Sequence, residues 1–105
     1  MALCLALSSL QAQDLPHWAK QGTATQLIVD NKPMLLLAGE LGNSSASSTE
    51  DIENIFPKLK RIGLNTALVP AYWDLIEAEE GKFDFTLIDK TIAEAKKHDM
   101  KVVFL

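Results

Sequence analysis

Two short apolar runs near the carboxyl end constrain the fold more than any other feature. Residues 64–71 are apolar apart from Asn65, Thr66 and the terminal Pro70, and residues 101–105 read Lys-Val-Val-Phe-Leu. Strands with one wet face alternate apolar and polar residues. Near-continuous apolar strands instead belong to sheets covered on both faces, which are usually parallel. Parallel neighbours need a crossover, so the segments between the runs should be helices.

The spacing of the apolar residues agrees. Ile52, Ile55, Phe56, Leu59 and Ile62 recur at helical intervals and predict a helix over 50–62, with Ser47 and Glu50 in the form of a capping box and Gly63 as its stop. Pro57 lies inside this helix and predicts a kink or restart. Leu87, Ile88, Ile92 and Ala95 define the apolar side of a second helix, capped by Thr86 with Asp89, with Lys90, Glu94 and Lys97 elsewhere on its surface. Upstream, a β-prone run over 25–29 and the turn cluster Asp30-Asn31-Lys32-Pro33 predict a hairpin. The hairpin leads into a buried strand, Met34-Leu35-Leu36-Leu37-Ala38, that ends at Gly39.

The resulting order is strand, helix, strand, helix, strand, and right-handed crossovers make the three strands parallel neighbours. This α/β pattern opens either a (β/α)8 TIM barrel or a doubly wound sheet. A domain ending on an apolar strand leaves an open edge, so the 105 residues are expected to be an incomplete part of their fold.

The first ten residues are uncharged and mostly apolar, too short for the roughly 20 residues of a membrane span. They resemble the apolar core of a signal peptide covering residues 1–13, with Ala12 near the cleavage point, which predicts an exported, periplasmic or extracellular protein. Cys4, the sole cysteine, would leave with that peptide, and His17 and His98 lie far apart, so no zinc site is expected. A formal charge of −4 with interspersed signs gives no electrostatic footprint for nucleic acid.

Ligands of α/β folds approach the carboxyl ends of the strands. Two loops meet that condition, residues 39–49 and 72–84. Gly39-Glu40-Leu41-Gly42-Asn43 matches no phosphate-binding pattern, and its serines read as a solvated loop feeding a helix cap. The second loop carries Tyr72-Trp73-Asp74-Leu75-Ile76-Glu77, two aromatics and two carboxylates just past a buried strand. Aromatic rings stack on the C–H faces of sugars and carboxylates accept their hydroxyls. Trp73, Glu77, Glu40 and Tyr72 are therefore the candidate carbohydrate-binding residues, while Glu79 and Glu80 read as a solvated turn.

Leu64-Asn65-Thr66, Trp73, Glu77, Glu80-Gly81-Lys82-Phe83-Asp84-Phe85 and Leu87-Ile88-Asp89 resemble the G-x-N … W … E-P-x-x-G-x-x-D-F … L-D stretch of glycoside hydrolase family 42 and related clan members. Asp30-Asn31-Lys32-Pro33 and Gly39-Glu40 resemble the opening of family 35 β-galactosidases. The resemblance implies a (β/α)8 barrel that hydrolyses β-galactosides or related β-glycosides with retention and needs no cofactor. It also implies that the acid/base and nucleophile glutamates follow strands four and seven, leaving no catalytic residue among these 105. Ala78 stands where proline is usual, Pro70 where family 35 often has tyrosine, and Gly42-Asn43 replaces a common His-Tyr pair. The alternative reading is a small carbohydrate-binding or interaction module without catalysis.

Overall fold

The computed structural model describes residues 15–105, so the segment read as a signal peptide, with Cys4, lies outside the described residues. Two compact units divide between Leu35 and Leu36.

The described part of the first unit is an antiparallel meander of β1 (His17–Gln21), β2 (Ala24–Val29) and β3 (Lys32–Pro33). Asp30 and Asn31 form its second turn, with φ of 51° and 61°. Left-handed backbone at both central residues of a two-residue loop is the type I′ geometry that matches strand twist. The expected hairpin is therefore present. β1 was not legible, because His-Trp-Ala-Lys-Gln has no apolar alternation and its strand character comes from the ladder with β2.

The second unit is a parallel sheet, ordered β4 (Ala38–Glu40), β5 (Thr66–Val69), β6 (Lys101–Phe104), with α1 (Thr49–Arg61), a short α2 (Trp73–Ile76) and α3 (Thr86–Lys97) between the strands. The first apolar strand is displaced from its expected place. Met34 through Leu37 are outside any strand and Leu35 is 75% exposed, while pairing begins at Ala38 and reaches Glu40. Hydrogen bonding explains the shift. Asn65 donates its N–H to the Leu37 carbonyl at 2.9 Å and accepts the Leu37 N–H on its side-chain oxygen at 3.0 Å, so the ladder to β5 starts only after Leu37. The Asn65 carbonyl also takes the Lys101 N–H at 2.8 Å, which ties the amino ends of all three strands together.

One face of the sheet is covered by helices. Ile52, Phe56 and Leu59 of α1 pack with Ala67 and Val69 of β5 and with Ala95 and Met100. Gly39 belongs to this face, where an added Cβ would lie 2.6 Å from Leu64 Cδ1. Side chains alternate along a strand, so the in-register row Glu40, Leu68, Val103 lies on the opposite face.

Both helix starts differ from expectation by one hydrogen bond. Ser48, not Ser47, caps α1. Its Oγ accepts the Asp51 N–H at 3.1 Å and donates to the Asp51 carboxylate at 2.7 Å, while Ser47 Oγ donates to the Ser44 carbonyl. At α3 the Asp84 carboxylate accepts the Thr86 N–H at 2.8 Å, so Thr86 and Asp89 form no cap of their own. The bonds from Thr86 hold the Asp84 carboxyl below its ordinary value. The end of α1 is as expected. Gly63 at φ 89° donates to Lys60, and Leu64 donates to Leu59, the paired bonds of a Schellman motif. Helix α1 runs unbroken through Pro57, because buried Ile52, Phe56 and Leu59 on both sides of it hold the two halves against the sheet.

Glu94 also departs from expectation. Rather than lying on the wet side of α3, its side chain is only 7% exposed, 3.4 Å from both Lys90 and Lys97 and 3.5 Å from His98 Nε2. Lys90 also pairs with Glu53, joining α3 to α1. Burial pushes the Glu94 carboxyl up, but Lys97 and Lys90 together outweigh it and hold it below its ordinary value. Hydrogen bonding to Glu53 raises Lys90.

Phe56→Ala should cost about 3–5 kcal/mol in denaturant unfolding, and a loss below about 1 kcal/mol would show that α1 does not seat the core. Because Glu94 is depressed in the folded state, its contribution is present above its unfolded value and is lost as pH falls through its folded value. Acid unfolding should therefore be steeper in the parent chain than in Glu94→Gln, and equal slopes would contradict the assigned network.

Candidate functional site

The carboxyl ends of the three parallel strands are held level by backbone bonds. Leu41 donates to Leu68 at 2.9 Å, Leu105 to Val69 at 3.0 Å and Ala71 to Leu105 at 3.1 Å. The chain leaving β5 then turns directly into α2, whose first turn is closed by Ile76 N–H to the Tyr72 carbonyl at 3.0 Å and Glu77 N–H to the Trp73 carbonyl at 2.8 Å. Four of the residues singled out in the sequence take their positions from this arrangement.

Tyr72, Trp73 and Glu77 share one turn of chain. Tyr72 is half-buried, and its hydroxyl accepts the Ser44 N–H at 2.7 Å. Ser44 is a non-glycine residue at φ 66°, so this bond fastens a left-handed point of the loop after β4 to the loop after β5. Trp73 is 62% exposed and meets Phe83 edge to face, with ring centroids 6.3 Å apart. Glu77 is half-buried and folds back into its own loop, where Oε1 accepts the Gly81 N–H at 2.8 Å. Glu40 ends the neighbouring strand, exposed, on the face without helices.

Phe83 and Phe85 are not among the residues that the sequence marks as candidates for sugar binding. Their rings are nearly parallel, 10° apart in tilt with centroids separated by 6.2 Å, and both are more than half exposed. Their two-residue spacing is the signal that could have placed them on one side, with Asp84 between them turned toward the start of α3. Glu79 and Lys82 pair at 2.8 Å across the solvated turn expected there.

A small cavity beside α2 is lined by Val69, Pro70, Tyr72, Ile76, Leu87 and Phe104, among others. Its polar neighbours are already engaged, Asp84 with Thr86 and the Thr91 hydroxyl with the Leu87 carbonyl at 2.7 Å, so it is better read as a packing gap than as a ligand site. The exposed arc from Tyr72 to Phe85 has the opposite character, aromatic faces beside carboxylates. Such a surface can stack on and hydrogen-bond to a sugar. Within the arc, the bonds from Thr86 hold the Asp84 carboxyl below its ordinary value. Among the described residues no group of three His, Cys, Asp or Glu could hold a metal ion, and no helix is long and apolar enough to cross a membrane.

Comparison with known proteins bears on this same region. Residues 43–105 match the glycoside hydrolase 42 family model, described as Beta-galactosidase. The chain is 33% identical over 88 residues to a Beta-galactosidase of Xanthomonas manihotis, an alignment covering 82% of this chain and 14% of that protein. It is also similar to two proteins named tRNA sulfurtransferase. That of Serratia proteamaculans is 31% identical over 105 residues, and that of Vibrio parahaemolyticus is 27% identical over 103 residues. These alignments cover 93% and 91% of this chain and 20% of each relative, so the chain spans only a small part of the proteins it matches. The sulfurtransferase similarity runs against the expectation that nucleic acid plays no part. The family match begins at Asn43, after the residues that resemble family 35, and takes in the whole of the Tyr72–Phe85 arc. With more than half of its length matched, the chain belongs to this glycoside hydrolase family.

Proposed function

We propose that the chain supplies the opening strands of a (β/α)8 barrel and one wall of its sugar pocket, in an exported enzyme that hydrolyses terminal β-galactosides or related β-glycosides with retention. The observation that carries this reading is the coincidence of the family match with an exposed aromatic and carboxylate arc at the carboxyl ends of parallel strands. That end of the sheet is where barrel enzymes bind their substrates. A sheet with helices on one face and the row Glu40, Leu68, Val103 on the other also suits a barrel, in which the second face turns inward.

In this reading Trp73 stacks on the sugar ring, Tyr72 and Glu40 meet its hydroxyls, and Glu77, bonded to its own loop, braces the wall. The general acid and the nucleophile come from later strands, as the resemblance implies, and no cofactor takes part. Retaining glycosidases place those two carboxyl groups about 5–5.5 Å apart. Export rests on the apolar segment at residues 1–13 and is checked by amino-terminal sequencing of the mature product.

The purified chain should bind an alkyl β-galactoside saturably without hydrolysing an aryl β-galactoside, and Trp73→Ala should weaken binding roughly tenfold, about 1.4 kcal/mol. Turnover that disappears with Glu40→Gln or Glu77→Gln would contradict the assignment of catalysis to other strands. Binding of tRNA in preference to the galactoside would contradict the choice of ligand.

A further inference from the structure

Glu77 sits at a junction that its position in the motif does not reveal. Its N–H closes the single turn of α2 on the Trp73 carbonyl, and its carboxylate reaches forward to the Gly81 N–H. Between these two bonds the chain forms a closed loop, whose neck is the Asp84 N–H to Ile76 carbonyl bond at 2.7 Å. The tip is a tight turn in which Lys82 N–H donates to the Glu79 carbonyl at 2.9 Å and Gly81 stands at φ 76°. Positive φ at the second central residue is what a type II turn demands. The Glu77 carboxylate takes the N–H of that same residue. Phe83 follows immediately and lays its ring against Trp73.

We infer that Glu77 is a positioning residue: its carboxylate fixes the Gly81 turn, the turn places Phe83, and Phe83 sets the orientation of the exposed Trp73 ring. The deeper consequence rests on the glycosidase reading, since a ring offered to a sugar must be held at a fixed tilt while leaving one face open. Trp73 is 62% exposed and is held by an edge-to-face contact, which leaves a face of the indole free. Glu77 spends a carboxylate oxygen on the loop, so its influence on the sugar passes through Trp73.

The experiment uses Trp18→Phe as background, which leaves Trp73 as the sole tryptophan. Glu77→Ala and Glu77→Gln are then compared by the near-ultraviolet circular dichroism of Trp73, the hydrogen exchange of the Gly81 amide and galactoside affinity, with the far-ultraviolet signal reporting the fold. Glu77→Ala should collapse the Trp73 band and speed Gly81 exchange by about tenfold, the loss expected for one hydrogen bond. Glu77→Gln keeps an acceptor oxygen and should retain the band, the protection and the affinity. A Trp73 band unchanged in Glu77→Ala overturns the inference. So does a Glu77→Gln chain that keeps its spectrum but loses affinity, because Glu77 would then contact the sugar itself. A chain that binds no galactoside refutes the proposed function while the spectra still decide the brace.

Discussion

The parallel unit depends on α1 lying against β5. Ile52, Phe56 and Leu59 occupy one side of the helix, and Ala67 and Val69 present small and medium side chains beneath them. That contact needs the chain to leave the helix sharply and arrive in register. The Gly63 Schellman turn provides the exit. Asn65 provides the register, by holding Leu37 on one side and Lys101 on the other. Once β5 is fixed in this way, both neighbours can only pair from Ala38 and Lys101 onward.

The same constraint builds the site. With the strand ends levelled, the chain after Val69 emerges where Pro70 and Ala71 turn it into α2, and Tyr72 is brought against Ser44 of the neighbouring loop. The arc therefore consists of a rigid start at Tyr72, an exposed ring at Trp73 and a closed loop that returns Phe83 to that ring. Its aromatic surface is presented to solvent by backbone bonds and is not itself part of the core.

Much of this was legible in the sequence where apolar periodicity and residue chemistry act alone. The alternation of apolar strands with helical spacing gave the parallel α/β order, and Gly63 marked the end of α1. The misses share a different cause. Ser48 rather than Ser47 caps α1, and Asp84 rather than Thr86 opens α3, because several oxygen-bearing residues compete within two positions and only the final geometry selects one. Leu35 and its neighbours look like strand by composition but lose that role to the Asn65 bonds, which depend on a residue 28 positions from Leu37. Glu94 reads as a surface residue until α1 brings Glu53 to Lys90 and Lys90 shields the carboxylate. For the site, Trp73 and Glu77 were visible as residue types beside a strand end, while the partnership of Glu77 with Gly81 was not, since a four-residue return cannot be told from an exposed carboxylate without the turn.

If the chain forms one wall of a sugar pocket, the Tyr72–Phe85 arc is the surface that meets the sugar. Mapping amide and indole chemical shifts of the chain during titration with a β-galactoside tests this directly. Saturable shifts should concentrate at the Trp73 indole, Tyr72, Ser44 and Glu40, with the α1–α3 charge network unmoved. Shifts centred on that network, or none at the arc at saturating sugar, would contradict it.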